Sequence, residues 1–220
     1  MSNANLSTVA SRTSAAVSED GVMRYPLFEM FSTLQGEGFH AGRAAIFVRL
    51  GGCDVLCPWC DTAEAQTTGN CEWLAADEIA ARASGSGITT AIITGGEPLL
   101  WNMDSLTQAL HNCGMSVFLE TSGTHELSGE FDWVCLSPKR FAPPLEEAFA
   151  SASELKVVAG SEADLEYAAE CASKVGDECR LSLQPEWNRR SSAVPMIVEY
   201  IKRHPEWRLS LQMHKFIDIP

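Results

Sequence analysis

From Arg24 onward one pattern repeats along the chain: a short run of β-branched and apolar residues, then a longer stretch whose apolar positions recur every three or four residues. The short runs predict strands at 44–50, 89–94, 116–121, 133–137, 154–158, 180–184 and 208–212. The longer stretches predict helices at 73–83, 104–112, 162–174 and 193–203. Alternating strands and helices imply a mostly parallel sheet with crossover helices. One link departs from this pattern. About eleven residues separate Thr121 from Trp133, no more than the minimum for a helical crossover. The predicted fold class is therefore α/β, an incomplete, partly open (β/α) barrel.

The predicted strand ends carry nearly all the unusual residues. Arg49 closes the first strand and a cysteine-rich loop follows it; Gly95-Gly96-Glu97-Pro98 follows the second, Ser122-Gly123 the third and Pro138-Lys139 the fourth. Pro185 and His214-Lys215 follow later ones. In a parallel barrel these ends open on one face, where such folds place their chemistry. A single pocket is expected to collect them.

Composition narrows the possibilities. The 220 residues suffice for one domain with a full core. Residues 1–22, rich in Ser, Ala and Asn, are expected to form a disordered tail, leaving 23–220 as the domain. The net charge of −13 argues against a nucleic-acid partner, because neutralising phosphates requires clustered Lys and Arg. A small-molecule substrate is favoured. No run of about twenty apolar residues occurs, so no membrane span is expected. With eight cysteines and no expected signal peptide, the chain reads as cytoplasmic and reduced rather than disulfide-stapled. Five of the cysteines, Cys71, Cys113, Cys135, Cys171 and Cys179, lie at irregular spacings that suit core packing.

The other three fall within Gly52-Cys53-Asp54-Val55-Leu56-Cys57-Pro58-Trp59-Cys60-Asp61-Thr62, spaced C-x3-C-x2-C. Three thiolates leave one iron of a [4Fe-4S] cluster without a protein ligand, open to a small molecule. A zinc site would instead pair cysteines with a second knuckle downstream, and none is found here. The loop resembles that of the radical S-adenosylmethionine (SAM) superfamily, in which the amino and carboxylate groups of SAM fill the open position. Thr94-Gly95-Gly96-Glu97-Pro98 is similar to that superfamily's GGEP motif. Its glycines permit close backbone approach, and Glu97 could accept from an ammonium. The resemblance implies a [4Fe-4S] cluster on Cys53, Cys57 and Cys60. It further implies SAM contacts from Trp59, Cys60, Asp61, Gly95, Gly96, Glu97, Ser137, Pro138, Lys139, Gln184, Pro185, Glu186 and Trp187.

Further motifs narrow the resemblance to one family, 7-carboxy-7-deazaguanine synthase of the 7-deazapurine (queuosine precursor) pathway. They are Leu34-Gln35-Gly36-Glu37-Gly38, Phe47-Val48-Arg49-Leu50, Cys57-Pro58-Trp59-Cys60-Asp61-Thr62, Ser137-Pro138-Lys139, Gln184-Pro185 and Gln212-Met213-His214-Lys215. Members of that family convert 6-carboxy-5,6,7,8-tetrahydropterin to 7-carboxy-7-deazaguanine with loss of ammonia. The resemblance implies that Leu34, Gln35, Gly36, Glu37, Arg49, Thr94, His214 and Pro220 bind the pterin. Arg49 and His214 are candidates for its carboxylate. Glu37 and the carboxylate of Pro220 are both candidates for its amino and ring N–H donors. It also implies Mg²⁺ at Thr62, for which a helix N-cap is the competing role, an external electron donor such as flavodoxin or ferredoxin, and a homodimer. A glycyl-radical-enzyme activase shares the cysteine spacing, but the Gln35-Gly36-Glu37-Gly38 segment speaks against it. A non-enzymatic zinc or iron–sulfur module is the alternative of another class.

Overall fold

The computed structural model describes residues 21–220, so the tail expected over 1–22 lies outside the described residues apart from Gly21 and Val22. Within the described residues, nine strands form a single sheet: β1 (Arg24–Leu34), β2 (Ala44–Leu50), β3 (Glu72–Ala75), β4 (Thr90–Gly95), β5 (Ser116–Thr121), β6 (Trp133–Leu136), β7 (Glu154–Ala159), β8 (Arg180–Pro185) and β9 (Trp207–Leu209). Their order is β3-β1-β2-β4-β5-β6-β7-β8-β9. From β2 to β9 every neighbour is parallel, whereas β1 runs antiparallel to both β2 and β3. The sheet curls without closing, as the strand pattern predicts. No helix interrupts the link from β5 to β6, in agreement with its length.

Among the described residues, six helices accompany the strands: α1 (Ala76–Ser84), α2 (Asp104–Asn112), α3 (Glu146–Ala150), α4 (Glu162–Ala172), α5 (Arg190–Arg203) and α6 (Met213–Ile217). Their apolar stripes cover the outer face of the sheet in two clusters. The first joins Ile79 of α1 and Leu106 and Leu110 of α2 to Ile46, Val48, Ile93, Val117 and Leu119. The second joins Leu165 of α4 and Ile197 of α5 to Leu136, Leu155, Val157 and Leu183. Because side chains alternate along a strand, the intervening residues face the barrel interior. Ala45, Ile92 and Phe118 pack there with Phe47 and Trp133. That small inner core fills one end of the barrel and leaves the other end polar.

Several elements differ from the sequence expectation. The helix predicted at 73–83 begins as strand β3, since Tyr25 pairs with Leu74 and Pro26 with Trp73, and the helix starts only at Ala76. The Ala75 N–H donates to Glu78 Oε2 at 2.9 Å, fixing that start. Strand β1 is absent from the expectation because an extra residue, Phe28, lies between the Leu27–Leu50 and Glu29–Arg49 pairs and breaks the two-residue period. The run predicted at 208–212 pairs only over Trp207–Leu209; beyond it, Ser210 and Gln212 turn their side chains to other partners. The five-residue helices α3 and α6 are too short to show a period.

The gap between β1 and β9 is bridged by loops. The Met213 N–H donates to Gly36 O at 2.8 Å, and the Gly38 N–H to Ser210 Oγ at 2.8 Å. Gln212 Nε2 donates to Glu37 Oε1 at 2.9 Å. The same loop, leaving β1, plugs the apolar end of the barrel: Phe39 stacks on Trp133, and His40 packs against Phe118.

Candidate active site

At the C-terminal ends of the parallel strands lies a cavity of about 640 Å³. Cys53, Cys57 and Cys60 are among the residues that line it. Burial raises the thiol pKa of Cys53 and Cys57. The loop is held by backbone bonds, Gly52 N–H to Ala65 O and Cys53 N–H to Gln66 O, and the Cys60 N–H closes a turn onto Cys57 O. All eight thiols are free. Cys135 and Cys171 are buried, Cys113 is exposed beyond α2, and Cys71 sits behind Gly51, where an added Cβ would meet its Sγ. Three thiols from one loop lining a cavity, with none of the other five lining it, suit a cubane cluster with one open iron.

Next to the cysteine loop runs Gly95-Gly96-Glu97. The Gly96 N–H donates to Leu50 O at 2.9 Å and the Glu97 N–H to Gly52 O at 2.8 Å. A Cβ on Gly96 would lie 2.2 Å from Gly52 O, and one on Gly95, where φ is +148°, 2.0 Å from Leu50 O. The close approach that requires these glycines is therefore to the backbone entering the cysteine loop. Glu97 is buried, and all its acceptor sites are used by protein donors. Oε1 accepts from Leu99 N–H and Thr121 Oγ1, and Oε2 from Ser122 N–H and Ser122 Oγ. An ammonium received by this carboxylate must replace one of them.

The same cavity is lined by Leu34, Gln35, Gly36, Glu37, Arg49, Thr94, His214 and Pro220, together with Trp59, Asp61, Thr62, Ser137, Lys139, Gln184, Pro185 and Trp187. Pro138 and Glu186 lie instead on an adjoining cavity of about 360 Å³, which shares Trp59 and Lys139 with the first. Glu186 there accepts from Asn188 N–H and pairs with Arg189. Lys139 Nζ donates to Ser137 O and Ser137 Oγ; burial lowers its pKa, opposed by the neighbouring Cys57. Arg49 is held by Glu29, Nε to Oε1 at 2.6 Å. Pro220 is tied to β1 by a bond from Thr33 Oγ1 to its carbonyl oxygen at 3.0 Å. Thr62 precedes a short 3₁₀ turn (Ala63–Gln66), yet its hydroxyl makes no capping bond and reaches only Asp61 Oδ1, at 3.4 Å.

Sequence reasoning named Gln35 and Glu37 but missed Glu120 and Lys156, with which they form an ion network lining the cavity. Lys156 Nζ, from β7, donates to Glu37 Oε2 at 2.7 Å and Glu120 Oε2 at 2.9 Å, while Gln35 Nε2 donates to Glu120 Oε1. Burial would raise the Glu37 carboxyl, but Lys156 and the amides of Gln212 and Gln184 outweigh it and hold the pKa down at about 2. Burial pushes Glu120 up, with Lys156 opposing and Glu37 adding to the rise. Burial disfavours the charge on Lys156, yet Cys135 and the two carboxylates keep its pKa well above the usual range. The signal for the missed residues was present as a charged residue within an otherwise largely apolar strand: Glu120 in SVFLET and Lys156 in ELKVVA. Glu37, Asp61 and His214 also bring ligand atoms within 4.8 Å of one another. Gln212 bridges the two carboxylates, and Lys215 pairs with Asp61, so that cluster is already neutralised by protein donors.

Comparison with known proteins agrees with this geometry. The Radical SAM superfamily profile matches residues 47–149. A 7-carboxy-7-deazaguanine synthase of Flavobacterium psychrophilum is 45% identical over 89% of this chain and 92% of its own length. One of Synechocystis sp. is 41% identical over 92% and 97%. The crystal structure of QueE from Escherichia coli superposes with a TM-score of 0.78 at 33% identity, covering 90% of this chain and 99% of that one. A fold, a cavity and a thiol triad of this kind, with sequence identity maintained across nearly the full length, place the chain in the 7-carboxy-7-deazaguanine synthase family of the radical SAM superfamily.

Proposed function

We propose that the chain converts 6-carboxy-5,6,7,8-tetrahydropterin to 7-carboxy-7-deazaguanine, releasing ammonia, with a [4Fe-4S] cluster on Cys53, Cys57 and Cys60 and SAM in the adjoining part of the cavity. The observation that carries this reading is one cavity lined both by the three thiols Cys53, Cys57 and Cys60 and by the polar set Gln35, Glu37, Arg49 and His214. When bound, the cluster supplies the electron that releases a 5′-deoxyadenosyl radical from SAM. The chain's own residues bind and orient. Lys139 offers a cation toward the SAM carboxylate, and Gly95 and Gly96 line the same cavity on the side of the methionine amine. Glu37, ionised and fixed by Lys156, accepts from the paired donors of the pterin's pyrimidine edge, a bidentate geometry open to carboxylates. The carbonyl end of the chain at Pro220 borders the same edge. Arg49 takes the pterin carboxylate, assisted by His214, whose ring burial keeps neutral and free to accept or donate a hydrogen bond.

Thr62 and the pterin carboxylate supply oxygen ligands for Mg²⁺, which commonly keeps several waters. The Thr62 hydroxyl, which lines the cavity and makes only a long bond to Asp61 in place of a cap, supports this. A flavodoxin or ferredoxin donates the electron, a reducing cytoplasm keeps the thiols free, and the active form is a homodimer. Among the described residues, no helix is long and apolar enough to cross a membrane. The test is anaerobic turnover of the carboxylated pterin by reconstituted protein. Formation of the deazaguanine by the wild type, with no SAM cleavage in Cys57→Ala and unchanged turnover in Cys113→Ser, supports the reading. SAM cleavage retained in Cys57→Ala sinks it.

A further inference from the structure

The Phe28 bulge has a consequence for the cavity. With an unbroken two-residue register, Phe28 would stand opposite Arg49 and Glu29 opposite Val48, which faces the outer core. The extra residue reverses the facing of everything beyond it on β1. Glu29 then pairs with Arg49 and Phe31 with Phe47, and all four line the cavity. Bulges re-aim side chains in this way and are enriched beside active sites. Arg49 is mostly buried, with 17% of its side chain exposed, and its Nε is bound to Glu29 Oε1. Among the described residues, no acceptor takes a hydrogen bond from its two Nη groups.

We propose that Glu29 is a positioning residue for substrate recognition: it grips Arg49 by the Nε edge and so presents the Nη pair to the carboxylate of the bound pterin. This rests on the function proposed above. An Arg fork binds a carboxylate through two parallel N–H groups. With the Nε edge occupied, the end formed by both Nη groups is the fork that remains. Ordering the long Arg side chain before the substrate arrives removes part of the entropic cost of binding. Two effects of Glu29 oppose each other, since its own negative charge also repels the substrate carboxylate. Its side chain is 42% exposed, so solvent and salt screen that repulsion, and the ordering effect prevails.

The experiment compares Glu29→Gln, Glu29→Asp, Arg49→Lys and the double variant Glu29→Gln/Arg49→Lys in cluster-reconstituted protein, with iron content and visible absorbance confirming equal loading. Steady-state kinetics is paired with calorimetric binding of 7-carboxy-7-deazaguanine and of a 7-deazaguanine lacking the carboxylate. Glu29→Gln is expected to raise the KM for the carboxylated pterin between about threefold and tenfold, as expected for one side chain left to be ordered on binding. Its kcat and its KM for SAM are expected to stay near the wild-type values. It should weaken binding of the carboxylated ligand only, and Glu29→Asp should fall between the two. In the Arg49→Lys background, Glu29→Gln should have little further effect. A KM that stays constant or falls in Glu29→Gln, while the wild type turns over, overturns this inference alone. Equal weakening of both ligands does the same. Failure of the wild type to turn over the pterin overturns the function reading and this inference together.

Discussion

At the scale of single residues, the site separates groups committed to the protein from groups left available. Glu97 has spent its acceptors on the loop after β5, whereas the Thr62 hydroxyl and the Nη groups of Arg49 hold no strong protein bond. Residues of the second kind are candidates for binding. For Thr62 the two roles separate cleanly. If it ligates Mg²⁺, Thr62→Ala lowers turnover and moves its Mg²⁺ dependence to higher concentration, with thermal stability nearly unchanged because no capping bond is lost. A cap would instead cost about 1 kcal/mol of stability and leave the Mg²⁺ dependence unaltered. A Mg²⁺ titration of turnover in the folded, cluster-loaded variant decides between them.

At the scale of elements, the cysteine loop and the turn after β4 behave as one unit. Two backbone bonds join them, and neither Gly95 nor Gly96 has room for a Cβ against the facing carbonyls. Gly96→Ala must therefore push the turn away from Gly52, and the shift reaches Cys53, whose Cβ lies 2.8 Å from the added methyl. The expected result is poor cluster incorporation and loss of SAM cleavage in a chain that still folds, because the two outer-face cores are untouched. Gly114→Ala serves as control: it meets nothing within 4 Å, although its φ of +75° costs local strain of about 1 kcal/mol. Iron content after identical reconstitution, beside far-ultraviolet circular dichroism, measures both. Normal iron loading in Gly96→Ala would show that the loop does not depend on this contact.

At the scale of the whole molecule, an open sheet is held shut by charge and hydrogen bonds in place of a strand ladder. The loop after β1, strands β5 and β7 and the segment after β9 meet in the Glu37, Glu120, Lys156 and Gln212 network. The sign of its pH dependence follows from Glu37. Its folded pKa, about 2, lies below the ordinary 4.5, so its contribution is present above pH 4.5 and is lost as pH falls toward 2. A drop of that size corresponds to at most about 3 kcal/mol; Glu120, raised by burial, acts in the opposite sense and reduces the net effect. Denaturant unfolding should therefore weaken between about pH 4.5 and pH 2, and Glu37→Gln should flatten that limb. An unchanged acid limb in Glu37→Gln would place the titrating group elsewhere. Lys156→Met should be worse at neutral pH, by about 3 kcal/mol, because it leaves two mostly buried carboxylates without their cation.

The amino-acid sequence determined local features: the period of each parallel strand, the amphipathic stripes of α2 and α4, and a cysteine spacing that fits three ligands of a cubane. Those depend on neighbours a few residues apart, and a linear pattern records them. It also exposed the strand ends as the chemical face, since polar and glycine residues interrupt apolar runs there. Only the tertiary structure decided the rest. β1 escaped because one bulged residue breaks the alternation on which a strand is recognised. Glu120 and Lys156 escaped because each is an ordinary charged residue on its own strand, and they join Glu37 in a network only when curvature brings β5, β7 and the loop after β1 within hydrogen-bond distance. The pairing of Glu29 with Arg49 has the same origin: the residues are twenty positions apart and opposite one another only in a folded register that no local pattern encodes.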